Sequence, residues 1–240
     1  NRSLFPASHA VKCPKNICPK NILTSKNSPL ILSIINPSVI QKTTHLVESA
    51  MGVGDLEKKT DVKLPKVGQI GIVVLDIGKA VRFYAKFLNI KPWFRSRTVS
   101  NDATFKGESF RLELDIALAF SGGVEIELIQ MRTGRECIYS DIMEKQGGGL
   151  HHIGFMVRDF DQKLDQMKAM GIGVIQSGVI KTVGGAVTKY AYLDTVSACG
   201  IISEIIESRL VGIPVPHNRF MMHVGRLTGD VDLIPLRNAS

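Results

Sequence analysis

The chain has no acidic residue before Glu48. Arg2, Lys12, Lys15, Lys20, Lys26 and Lys42 stand unopposed there and supply +6 of the formal net charge of +8. The remainder is close to neutral, so the basic balance argues for no nucleic-acid-binding face on the body of the protein. Long apolar runs are also missing. None reaches the ~18 residues that a membrane-spanning helix needs, and the best candidate, Pro29 to Ile40, is broken by Pro37. Cysteine is scarce. Cys13 and Cys18 form a C-x4-C pair with no second pair to complete a zinc site, while Cys137 and Cys199 stand apart. In a chain of 240 residues this excludes a disulfide framework and makes a reducing compartment the default. Gly147-Gly148-Gly149 lacks the Lys-Ser/Thr of a P-loop, so it reads as a turn.

What is present divides into three parts. Residues 1–50, rich in Ser, Asn and Pro, read as a basic tail or targeting segment. As an organelle transit peptide it would imply a mitochondrial protein; otherwise a cytoplasmic location is expected. A leader appended ahead of a natural start at Met51 is the third alternative. Residues 64–208 read as one domain, and residues 209–240, with Pro214, Pro216 and Pro235, as an extension wrapping that domain or a partner.

The domain is organised by an internal repeat. The run Gln69-Ile-Gly-Ile-Val-Val-Leu-Asp76 aligns without gaps on His152-Ile-Gly-Phe-Met-Val-Arg-Asp159, and Gly123-Val-Glu-Ile-Glu127 aligns on Gly200-Ile-Ile-Ser-Glu204. Two copies of one supersecondary unit follow, module one over 66–131 and module two over 149–208, joined by a linking helix over 136–146. Each opens with a strand, then an Asp at helix N-cap position, then helical periodicity. Ile77, Ala80, Val81, Tyr84 and Leu88 form the stripe in the first copy, and Phe160, Leu164 and Met167 in the second. Strands are expected over 91–98, 108–119 and 124–130, and again over 173–178, 187–194 and 200–207. The class is α+β, with two paired βαβββ modules forming a cupped mixed sheet.

Strand alternation assigns faces. Gln69 shares a face with Gly71 and Val73, Glu127 with Glu125 and Ile129, His152 with Gly154 and Met156, and Glu204 with Ile202 and Ile206. A polar side chain among inward apolar neighbours is costly unless satisfied. Four such residues, Gln69, Glu127, His152 and Glu204, occupy equivalent positions of the two copies, so pseudo-twofold pairing brings them together. One imidazole with carboxylate and amide oxygens suits a divalent metal: Co, Mn, Ni, Zn, Fe or Mg. Alternation turns His151 away from His152, which leaves one His for the site.

These motifs resemble the vicinal oxygen chelate superfamily, the glyoxalase/bleomycin-resistance/extradiol-dioxygenase group. The resemblance spans about residues 66–208. Its carriers are Gln69-Ile-Gly-Ile-Val-Val, Phe83-Tyr84-Ala-Lys-Phe-Leu88, Ile126-Glu127-Leu128, Leu150-His-His152-Ile-Gly-Phe and Ile202-Ser-Glu204-Ile. It implies one metal in the cup, held by Gln69, Glu127, His152 and Glu204, and chemistry that stabilises an enolate beside a carbonyl or thioester. The segment Ser140-Asp-Ile-Met-Glu-Lys-Gln-Gly-Gly-Gly-Leu-His-His-Ile looks like methylmalonyl-CoA epimerases, whereas the Gln/Glu/His/Glu set resembles glyoxalase I, a lactoylglutathione lyase. The resemblance thus implies a metal-dependent isomerase or lyase with Glu204 or Glu127 as base. Its substrate would be an acyl-CoA thioester or a hemithioacetal, with no nucleic-acid or membrane partner, and the protein would be a homodimer. A non-catalytic ligand-binding member is the contrary expectation. Trp93 and Phe94 read as core, and Lys91, Arg95, Arg97 and Arg111 as a solvated strand face.

Overall fold

The computed structural model describes residues 62–133 and 136–236; the basic segment 1–50 lies outside them. Module one opens with β1 (Gln69–Val73) and helix α1 (Ile77–Lys86), followed by β2 (Phe94–Ser96), β3 (Thr98–Phe105), β4 (Glu108–Arg111), β5 (Glu113–Ser121) and β6 (Val124–Thr133). Helix α2 (Ile138–Gln146) links it to β7 (Gly149–Met156), α3 (Phe160–Ala169), β8 (Val174–Thr182), β9 (Ala186–Leu193), the short α4 (Val196–Cys199) and β10 (Ile202–Leu210). The extension adds β11 (Ile213–Pro214), α5 (Arg219–Thr228) and β12 (Val231–Leu233).

Asp76 caps α1 as expected: its carboxylate accepts the N–H of Lys79 at 2.8 Å. Asp159 occupies the corresponding position of α3 but makes no side-chain cap bond, and instead pairs with Lys163 at 3.9 Å. The buried stripe of α1 is Ile77, Val81 and Ala85. Leu88, expected on that stripe, lies beyond the helix and is exposed, as are Phe83 and Phe87. Trp93 and Phe94 are fully buried core, and Arg97 and Arg111 pair with Asp232 and Asp102 at the surface.

The expected βαβββ modules are present, with one correction. The strand expected over 108–119 is broken at Leu112, and a hairpin, β3–β4, is added to module one. Its turn is Lys106-Gly107, both with positive φ (50° and 82°), the conformation that matches hairpin twist. The described strands form one mixed sheet in the order β12-β2-β5-β6-β1-β7-β10-β9-β8-β3-β4, with β11 on β10. Strands β2 and β3 sit toward opposite ends of that order, yet only Arg97 separates them in sequence. Consecutive Cα atoms are about 3.8 Å apart, so the sheet must curl until its ends meet. Arg97 joins them, its N–H donating to the Asp230 carbonyl (2.8 Å) and its carbonyl accepting from Val183 N–H (3.0 Å).

The extension wraps its own domain. Strand β12 pairs with β2, and Asp230 fastens the end of α5 to the β8–β9 turn, accepting from the Thr182 and Thr228 hydroxyls and the Ala186 N–H. Burial by itself would raise the Asp230 carboxyl, but these hydrogen bonds hold it below its ordinary value of 3.8. Such a carboxylate stabilises the fold above the unfolded pKa, and the contribution is lost as pH falls through the lowered folded value. Replacing Asp230 with Ala leaves a main-chain N–H and two hydroxyls without their charged acceptor. The expected cost is about 1–3 kcal/mol, read as a lower denaturant midpoint at pH 7, with the gap to the native chain shrinking below pH 4.

Candidate functional site

The centre of the sheet is the antiparallel pairing of β1 with β7, which joins the two modules. It sets Gly71 opposite His152 and Gln69 opposite Gly154. The outer flanks are parallel pairings: β6 places Glu127 beside Gly71, and β10 places Glu204 beside Gly154. Each long polar side chain thus lies across from a glycine. A Cβ on Gly71 would fall 1.8 Å from His152 Cε1, and one on Gly154 would fall 2.7 Å from Gln69 Oε1. The glycines of the repeated Ile-Gly motif are the space into which the opposite module's side chain folds.

All four expected residues converge. His152 Nε2 lies 3.1 Å from Gln69 Oε1, 2.9 Å from Glu204 Oε2 and 3.5 Å from Glu127 Oε2. Gln69, His152 and Glu204 are buried, and the Glu127 side chain is 12% exposed. Burial pushes the His152 imidazole down to about 3, so it is neutral near pH 7. Burial raises Glu204 to about 8, against the pull of a Tyr192 hydrogen bond and of His217. Glu127 is raised well above its ordinary value by burial, then by the charges of Glu204 and Glu125. Oxygen atoms crowding one nitrogen repel unless a proton or a cation lies among them. Glu204 Oε2 is buried without a hydrogen-bond partner despite its approach to His152. Ligand atoms from Glu127, His152 and Glu204 all lie within 4.8 Å of one another. An orphaned carboxylate oxygen aimed at a neutral imidazole fits a divalent cation, and Gln69 Oε1 supplies a fourth donor.

His151 departs from expectation. Its ring is stacked on Tyr139, and its Nδ1 is 3.0 Å from His152 Nδ1. Burial, then His152, pushes His151 down to about 3. A hydrogen bond between two neutral rings needs one donor and one acceptor nitrogen, so His151 sets the tautomer of His152.

Two residues at this site were not among the expected ligands. Glu125, nearly fully buried, accepts from Gln69 Nε2 at 2.8 Å and so orients the amide oxygen toward His152. Its inward face was visible from alternation with Glu127. His217 was not foreseeable, because it lies in the extension outside the repeat. Its Nδ1 is 3.2 Å from Glu125 Oε1 and its Nε2 is 2.7 Å from Ser208 Oγ. Burial opposes its charge, but Glu125 raises it above the ordinary value of 6.5. A cavity of about 90 Å³ opens over the cluster, lined by Gln69, Glu125, Glu127, Tyr192, Glu204 and His217.

Two outcomes follow from this geometry. Substituting Gly71→Ala should displace the His152 ring, so that the purified variant holds less than one equivalent of divalent metal by elemental analysis. An overpacking cost of about 1–3 kcal/mol should accompany it. The second concerns pH. Glu204 keeps a proton in the metal-free fold up to about 8, whereas the unfolded chain releases it near 4.5. The metal-free fold therefore loses stability as pH rises between those values, and a bound cation, which displaces that proton, removes the loss. The metal-induced rise in Tm should widen from pH 5 to pH 8; a rise independent of pH would contradict the raised carboxylate.

A family model described as the Glyoxalase/Bleomycin resistance protein/Dioxygenase superfamily matches residues 68–192. The uncharacterized protein YqjC of Bacillus subtilis (strain 168) is 24% identical over 144 residues, which cover 60% of this chain and 93% of that protein. Among solved structures, the hypothetical protein BH1468 of Bacillus halodurans C-125 is 24% identical with a TM-score of 0.44, over 64% of this chain and 98% of its own. The methylmalonyl-CoA epimerase of Mycobacterium tuberculosis is 15% identical with a TM-score of 0.45, over 67% and 95%. With more than half of its length matched by the family model and its two modules paired around one cup, the chain belongs to the glyoxalase/bleomycin resistance protein/dioxygenase superfamily.

Proposed function

We propose that this protein is a divalent-metal-dependent isomerase or lyase that moves a proton at the carbon next to a carbonyl or thioester, in the manner of a methylmalonyl-CoA epimerase. The observation that carries this reading is the convergence of Gln69, Glu127 and Glu204 on the neutral Nε2 of His152. A divalent ion held by these four residues would supply Lewis-acid stabilisation of the charge that develops on the carbonyl oxygen.

The rest is done by the protein's own groups. Glu204 takes the α-proton as a carboxylate displaced from the ion or lying beside it: it is buried, with its Oε2 2.9 Å from His152 Nε2. Glu127 comes from the other module by the pseudo-twofold, and its 3.5 Å separation from His152 makes it the looser of the two carboxylates. It is the candidate to return a proton on the opposite face, which an epimerisation requires. His151 holds the His152 ring, and Glu125 holds the Gln69 amide. Gln69 itself favours a second reading, a glyoxalase I-like lactoylglutathione lyase, because the Gln/Glu/His/Glu set is the one on which that resemblance rests.

The test is solvent deuterium uptake in D2O by the metal-loaded chain, into methylmalonyl-CoA and into the methylglyoxal–glutathione hemithioacetal. Exchange into one of them is expected, abolished by chelator and reduced by about 10²- to 10⁴-fold in Glu204→Gln. No metal-dependent exchange into either compound would rule out both named activities. No stoichiometric metal, together with no effect of Glu204→Gln on ligand binding, would make the protein a binder.

A further inference from the structure

The extension brings a second chamber to the site. Beyond the cavity over the cluster lies another, of about 120 Å³, roofed by α5. The two share Ser96, Leu118, Thr182, Thr188 and His217 in their walls. They therefore adjoin, and His217, in the shared wall, turns its ring nitrogens to Glu125 and Ser208. The chamber has a different character from the cavity over the cluster. No carboxylate of the cluster reaches it, and Leu118, Leu210, Val215, Met221 and Met222 make its walls largely apolar. Its one acid, Asp230, is engaged by Thr182, Thr228 and Ala186.

We infer that this chamber is the tail pocket of the ligand site: it takes a short hydrocarbon chain whose oxygen-bearing head lies at the Gln69–Glu127–His152–Glu204 cluster. This deepens the proposed function and rests on it for the head, but the tail pocket stands on its own walls. Size sets the class. An apolar cavity of about 150 Å³ holds benzene, so about 120 Å³ accommodates a chain of roughly four or five carbon atoms. The ligand class is a carbonyl compound or thioester that carries a C4–C5 apolar tail on the carbonyl carbon's side. The methionines suit this role, because an unbranched thioether adapts to the shape of what it meets. The clasp at Asp230 and the β2–β12 pairing hold α5 against the sheet, so that its methionines form one wall of the chamber.

Two measurements on the full chain test this. Crystals pressurised with xenon, which needs neither metal nor head group, should show a xenon peak beside Leu118, Val215 and Met222; an empty chamber overturns the inference. Calorimetric titration of the metal-loaded protein with pyruvate, 2-oxobutyrate, 2-oxopentanoate, 2-oxohexanoate and 2-oxodecanoate reads the tail directly. Each methylene should tighten Kd by about fourfold as far as 2-oxohexanoate, with no further gain at 2-oxodecanoate. Met222→Trp, which fills the chamber, should flatten the series and remove the xenon peak, and Met222→Ala should carry the gain to longer chains. Affinity without chain-length dependence, or no binding by any member while one equivalent of metal is retained, overturns it. Failure of metal uptake or of deuterium exchange is failure of the functional reading instead, and the xenon peak still decides the chamber.

Discussion

The pairing of β1 with β7 is the constraint on which everything else depends. It is a short ladder, Gln69 to Val73 against Gly149 to Gly154, but it joins the two modules and fixes which residues face one another across the join. Because side chains alternate along a strand, a slip of one residue would turn Gln69 and His152 out of the cup and leave the carboxylates of β6 and β10 without partners. The register that avoids this also sets a glycine opposite each long polar side chain. Gly71 and Gly154 do not act as turn residues here. They are absences of side chain, each filled by the opposite module.

Around that pairing the molecule concentrates groups that would be unfavourable singly. Neutral His152 with its neutral neighbour His151, and the protonation-prone Glu127 and Glu204, all lie where water is largely excluded. Such a cluster is costly without a compensating partner. The supporting contacts are directional: His151 fixes one nitrogen of His152, and Glu125 fixes the amide of Gln69. Closure of the sheet through Arg97, together with the clasp at Asp230, holds the walls of the cup around these groups.

Much of this was legible in the residues. The ungapped match between Gln69–Asp76 and His152–Asp159 implied two like modules, and alternation put Gln69, Glu127, His152 and Glu204 on inward faces before any coordinates. The N-cap at Asp76 followed from residue type. The equivalent inference for Asp159 did not hold as a side-chain cap, because its backbone (ψ 52°) differs from the extended conformation of Asp76 (ψ 103°). The β3–β4 hairpin was hidden because Lys106-Gly107 is a weaker turn signal than Asn-Gly, and because module two has no counterpart to align with it. His151 was read as turned away. Alternation fixes the direction of the Cα–Cβ bond, but not where a ring swings beyond it.

The sequence by itself determined the two-module plan, the inward polar set and the basic character of residues 1–50, because repetition and period-two alternation are local properties of a chain. Only the tertiary structure decided that the oxygens meet at His152 Nε2, since that depends on strand register across 83 residues. It also decided that His217, from a segment with no repeat partner, reaches Glu125 across 92 residues. The curl of the sheet set that proximity. It follows from one residue, Arg97, spanning two strands at opposite ends of the order, and this long-range closure is not written in any local pattern.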